Sequence, residues 1–330
     1  MRILIAIVTL LAAFTVQANT DKLVIYSSYD GERLAPILKP FTQMTGVEVE
    51  VVFASSAELL KQLEAEGQNS RADLYLDKDI VYMGEANRKA FLQSFSTGKV
   101  SQKVPSHLIS NDNNWFLLFY RARTVMFNKQ KVNPAELNTY ADLGNPKWKG
   151  QLCVRTSKNS YNEGMAAYFV KHFGATQTEA LLASWVNNLA VEPLKGDRDV
   201  IAAIANGTCA IGVANTYYLA PIVRDDVNFP VGVRFLEQDK IGAHINGVGI
   251  AITKSSKNVA KANAFLEFMV SKQVQEAVAG SFSQYPASKE ADIAPILKEF
   301  GPFVEDASNV NEVSNFVPVG IEMMIKAGYK

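Results

Sequence analysis

The chain has 330 residues, of which 48% are hydrophobic and 20% charged, and its 33 basic side chains match its 33 acidic ones. That size buries a substantial core and suits about two domains. The even charge balance, with no basic stripe, argues against a nucleic-acid partner.

Residues 1–18 read as a secretory signal. Arg2 is the charged start, "ILIAIVTLLAAF" is the apolar middle, and "VQA" places small residues before a cleavage point after Ala18. The apolar middle is short for a bilayer span; the alternative is a retained anchor. Cleavage leaves 32 basic against 33 acidic side chains, a net charge of −1. The mature protein is expected to be soluble and exported.

The mature chain then alternates strands and helices. Lys22 to Tyr26 is a short β-rich run, followed by "SSYDGE". In "GERLAPILKPFTQMTG" the apolar residues Leu34, Ile37, Leu38 and Phe41 recur at helical spacing up to Gly46. "VEVEVVF" (47–53) alternates as a strand, 56–69 is an amphipathic helix, and "ADLYL" (72–76) is another strand. This alternation predicts a parallel α/β sheet.

"WFLLFYRARTVMFN" (115–128) is a long β-rich run with two arginines, suited to crossing between two lobes. "TYADLGNPKWKG" (139–150) is predicted as a helix and a turn. A strand at "GQLCVRTS", helices at 162–173, 176–190 and 196–207, and a strand at 208–215 follow. The 247–256 β-run returns to the first lobe, followed by helices at 258–271 and 272–280, and "VGIEMMIKAGYK" closes the chain as a helix. The expected architecture is α/β, two doubly wound lobes with a cleft between them. Lobe 1 comprises about 19–122 plus 248–300, and lobe 2 about 123–247 plus 301–330.

Cys153 and Cys209 are the only cysteines, and each opens an apolar strand-like run. In an exported chain a disulfide is the expected state; two buried free thiols are the alternative. With no CxxC and only His107, His172 and His244 scattered along the chain, a zinc or redox site is not expected.

In open α/β sheets ligands bind beyond the carboxyl ends of strands. Three such loops carry tyrosine: Tyr29 beside Asp30, Tyr161 in "RTSKNSYN", and the adjacent Tyr217 and Tyr218 in "NTYY". A phenol has a pKa near 10 and ionises when a small, highly charged cation displaces its proton. Phenolate is a hard oxygen donor and suits ferric iron. The absence of His or Cys argues against zinc and copper, and the shortage of carboxylates against calcium. Taken singly, such tyrosines usually pack with a wet hydroxyl; convergence of three strand-end loops on one residue type is the signal.

Over nearly the whole mature chain the sequence resembles the periplasmic ferric-iron-binding proteins of ABC importers, in their tyrosine-rich branch. The landmarks are "AEGQNSRADLYL", "RARTVMFN", "TYADLGNPKWKGQLCVRTSKNSYN", "GDRDVIAAIANGTCAIGVANTYY" and "IKAGYK". The resemblance implies a two-lobed class II periplasmic binding protein that captures Fe(III) and hands it to a membrane permease with its ATPase. It makes Tyr217 and Tyr218 paired phenolate ligands, Tyr161 the third, and Tyr29 or Asp30 the ligand of the other lobe. The family often has a histidine in that first loop, and this chain has none there. Some relatives use an acid after the "ADLYL" strand; here Lys78 stands near that place, between Asp77 and Asp79. Arg155 is the expected charge partner or anion anchor, and Asn215 a hydrogen-bond donor to a ligand or anion. Carbonate, phosphate or water would complete the shell.

Binding, not catalysis, is therefore expected: no G-x-S-x-G or H-E-x-x-H motif occurs. The alternative is the same scaffold holding a small organic or anionic solute such as a polyamine, thiamine or a phosphonate.

Overall fold

The computed structural model describes residues 22–29 and 31–330. The predicted signal sequence and Asp30 lie outside the described residues.

The strands in chain order are β1 (Lys22–Ser27), β2 (Glu48–Phe53), β3 (Leu74–Asp77), β4 (Leu92–Gln93), β5 (Trp115–Asn128), β6 (Leu152–Cys153), β7 (Ile211–Asn215), β8 (Val231–Arg234), β9 (Ile245–Thr253) and β10 (Tyr285–Pro286). The principal order is β2-β1-β3-β9-β5-β7-β6. β1 runs parallel to β2 and β3, as the strand–helix alternation predicts. β9 is antiparallel to both β3 and β5, so the sheet is mixed.

β5 organises the molecule. Its residues 115–122 pair with β9, and its residues 123–128 pair with β7 and β8. One strand thus belongs to two sheets, each covered by helices, and the sheets define two lobes. Strand β5 is long, apolar and buried almost throughout, which a segment shared by two cores requires. The change of partner falls between Ala122 and Arg123.

Local signals explain most of the helices. Gly31–Thr45 buries Leu34, Ile37, Leu38 and Phe41 on one face. Ser55 and Glu58 form a capping box at the start of Ser56–Glu66. The segment 139–150 departs from expectation: it forms two 3-10 turns, Tyr140–Gly144 and Pro146–Trp148. Asn145, preceding Pro146, is held extended at ψ 133°, and proline cannot donate to a continuing helix.

Cys153 and Cys209 are bonded, with Cα atoms 5.9 Å apart. β6 and β7 are parallel neighbours with Cys153 opposite Gly212, so pairing of the strands brings the sulfurs together. Among the described residues, no helix is long and apolar enough to cross a membrane.

Candidate metal centre

β7 ends at Asn215, which lies opposite Arg123 at the junction of the two sheets. The Thr216–Asp225 helix begins at once, so Tyr217 and Tyr218 both sit in its first turn. Their rings lie 4.2 Å apart at an interplanar angle of 33°. The second element is the Ser160–Phe173 helix, whose first turn carries Tyr161. Asn159 caps it, accepting from the Tyr161 amide at 3.0 Å. The Tyr217 hydroxyl donates to the Tyr161 hydroxyl at 3.1 Å. Two helix N-termini therefore present three phenols at one place, where the helix dipoles favour negative charge.

Tyr29 follows β1 in the other lobe. Its ring stacks on Phe282 at 5.6 Å and 6°, and the Arg33 guanidinium lies 4.7 Å from its centroid. One charge, the Arg121 guanidinium, acts on Tyr29 and on two of the other phenols. That charge opposes the rise of the Tyr29, Tyr161 and Tyr217 phenols, all of which burial pushes above the ordinary tyrosine value. Tyr217 is raised further by the adjacent Tyr161. These phenols hold their protons at neutral pH unless a cation displaces them.

Arg121 belongs to β5 and is 1% exposed. Its Cζ is 5.0 Å from the Tyr161 centroid, and Nη1 donates to the Lys78 carbonyl at 2.7 Å. Nη2 faces the Asp79 carboxylate at 3.6 Å. Nε and Nη2 have no hydrogen-bond partner within the protein. Arg155 also lies over Tyr161, at 5.2 Å, and faces Asp197 at 3.7 Å. Arg123 is locked in place: it donates to Asp197 at 2.8 Å, to Asn162 at 2.7 and 3.0 Å, and to Asn215 at 3.3 Å. Asn215 thus does not cap its helix with its side chain; the Asn215 amide donates to Asp197 and its Nδ2 is buried without a partner. Arg198 lies over the Tyr218 ring at 5.2 Å.

Tyr161, Tyr217 and Tyr218 thus come together, with Arg155 over Tyr161 and Asn215 at the start of the Tyr217 helix, while Tyr29 packs on Phe282 and Arg33 in the other lobe. Sequence reasoning missed Arg121, Arg123, Asp197 and Asn162. The signal for the arginines was present: two permanent charges in an apolar strand must meet buried partners. Nothing in the linear order identifies those partners, which lie 39 and 74 residues from Arg123.

The donor set fits a hard trivalent cation. Among the described residues no group of three or more His, Cys, Asp or Glu could hold a metal. The phenols are anionic oxygens once deprotonated. Buried donors at Arg121, Arg155 and Asn215 without partners in the protein suit an accompanying anion.

The fold, with phenols and buried donors gathered at the junction of two sheets, is that of a solute-binding protein. Residues 69–303 match the bacterial extracellular solute-binding protein family, and the chain belongs to it. It is 32% identical to iron uptake protein A1 of Synechocystis sp. over 312 residues, covering 93% of this chain and 87% of that protein. Among solved structures, the Trichodesmium protein IdiA, or FutA, in complex with iron and citrate superposes with a TM-score of 0.90 at 33% identity. It covers 94% of this chain and 100% of its own. The ferric binding protein from Campylobacter jejuni gives 0.86 at 31% identity, covering 93% and 100%.

Proposed function

We propose that this protein captures ferric iron through tyrosinate oxygens and delivers it to an ABC permease driven by its ATPase. The carrying observation is the meeting of Tyr161, Tyr217 and Tyr218 at two helix N-termini beneath Arg121. Tyr29 supplies the ligand from the other lobe. Asp30 is the second candidate in that loop. The relatives whose names specify iron, and the structure with iron and citrate, support the choice of cargo.

Cations surround the phenols: Arg121 and Arg155 lie over Tyr161, Arg198 over Tyr218 and Arg33 over Tyr29, so the negative charge of several phenolates is met close by. An organic cation such as a polyamine is disfavoured, since the buried Asp79 and Asp197 carboxylates already face arginines. Arg155 and Asn215 are placed to hold carbonate, phosphate or a chelator carboxylate, or water fills the shell.

The lobes are read as 19–122 with 248–300, and 123–247 with 301–330. Closing them adds Tyr29 to the other three phenols and excludes water, so metal binding and closure are coupled. This is binding without turnover, by a periplasmic monomer; the extracellular family and the leader-like residues 1–18 support that location. Protonation of the phenolates or reduction to Fe(II) assists release. The test is metal content after equilibration with ferric citrate and desalting. One iron per chain is expected; an iron-free protein overturns the proposal.

A further inference from the structure

Asp79 follows β3 and starts the Ile80–Arg88 helix. It is fully buried. Its side chain is not spare. Oδ1 accepts from the Val81 amide at 3.0 Å and from Asn246 Nδ2 at 3.1 Å. Oδ2 accepts from Ser160 Oγ at 2.8 Å and faces Arg121 Nη2 at 3.6 Å. Both oxygens are therefore occupied by donors, and a metal could reach them only by breaking those bonds.

The partners have a pattern. Ser160 immediately precedes Tyr161 in the second lobe. Asn246 lies on β9 where it pairs with Arg121 of β5. Asn246 also packs on the Tyr161 helix: a Cβ at Gly164 would come within 3.1 Å of its Nδ2. Arg121 is the cation whose charge acts on three phenols. One carboxylate from the first lobe thus ties down the helix that carries one phenol and the guanidinium that lies over that phenol's ring.

We propose that Asp79 is a positioning residue of the phenol site, acting through Arg121 and Ser160 and not as a ligand. It fixes the angle of the Tyr161 helix, and it offsets the Arg121 charge that would otherwise draw electron density from the phenolates. This rests on the ferric reading above. Outer-shell partners of metal sites commonly govern affinity by about 10- to 100-fold when removed.

The experiment compares the ferric complexes of the parent, Asp79→Asn, Arg121→Gln, the double variant and Ser160→Ala. In Asp79→Asn the ferric affinity, by citrate competition, falls about 10- to 100-fold. Its phenolate-to-iron band moves to shorter wavelength, because the unbalanced Arg121 charge lies against the Tyr161 ring and stabilises the phenolate donor. A role in folding alone would not move that band. In the double variant the band sits where it does in Arg121→Gln alone, since there is no guanidinium left to offset. Ser160→Ala loses affinity with the band in place. An Asp79→Asn complex with the parent's band and affinity overturns the inference, as does a shift that persists in full without Arg121. Should Asp79→Asn not fold, Ser160→Ala decides: reduced affinity supports the tie, and parental affinity overturns it. A parent that binds no ferric iron overturns both this inference and the reading beneath it. A coloured parent with an indifferent Asp79→Asn variant overturns this one alone.

Discussion

The hydroxyl of Tyr217 donates to that of Tyr161 at 3.1 Å, across 56 residues of sequence. Two phenols so placed cannot both ionise cheaply: burial raises each, and at Tyr217 the second ring adds to the rise. A trivalent cation between them reverses that balance, because each proton lost is replaced by a bond to the metal. Affinity, colour and proton release thus share one origin.

Proton release gives the sign of the pH dependence. The phenols are protonated in the metal-free protein, since their values lie above the ordinary 10. Binding expels one proton per phenolate, so ferric affinity falls as pH falls, by about tenfold per unit for each proton released. Competition against a chelator of known protonation, between pH 8 and 6, measures the slope. A slope near zero would mean that the phenols are not the ligands.

Removing a phenol oxygen should cost more than removing an outer-shell partner. Tyr161→Phe and Tyr217→Phe are each expected to weaken ferric binding by more than about 100-fold. Because both rings are only half-buried and keep their packing, the melting temperature of the metal-free protein should change little. Parental affinity in either variant would remove that residue from the ligand set.

The disulfide closes a long loop, with its cysteines 56 residues apart. Chain-entropy reasoning puts its contribution at about 4 kcal/mol. Cys153→Ala/Cys209→Ala should lower the melting temperature by roughly 6 °C, since each kcal/mol shifts a chain of this size by only about 1–2 °C. Unchanged melting would show that the β6–β7 pairing holds without the bond.

Asp77 offers a separate check on the electrostatics. Burial, with the Asp79 carboxylate nearby, pushes it up to about 7 from 3.8. Between those values the folded state holds a proton that the unfolded state has lost, so stability falls as pH rises from about 4 to 7, by on the order of 4 kcal/mol. Asp77 accepts from the Tyr75 hydroxyl at 3.0 Å and the Asp79 amide at 3.1 Å. Asp77→Asn keeps an acceptor for the amide and does not ionise. Relative to the parent it should therefore gain stability from pH 4 to pH 8 by thermal melting. A difference that does not change with pH would contradict the shift.

Much of this was legible in the sequence because it is local. The apolar spacing of Leu34, Ile37, Leu38 and Phe41, and the β-rich run 115–128, specify their elements directly. The tyrosine loops stood out because they end strands. Two short strands were not legible: β4 and β10 have two residues each and exist through their partners, whereas β6, equally short, falls within the strand expected at "GQLCVRTS". Nor was the network around the phenols. Asp79 reads as one acid among many until Ser160, 81 residues away, is seen bonded to it. Asn215 reads as a donor to a ligand or anion, and nothing in the sequence shows that its side-chain oxygen accepts from Arg123 and its backbone amide donates to Asp197. Long-range pairing of buried polar groups leaves no period in a sequence, whereas amphipathic faces do.

Tyrosinate ligation is tested most directly by the visible absorption spectrum of the mature protein during titration with ferric citrate. An orange-red charge-transfer band that saturates at one iron per chain, and weakens in Tyr161→Phe and Tyr217→Phe, is the expected result. A folded protein that stays colourless through the titration would contradict it.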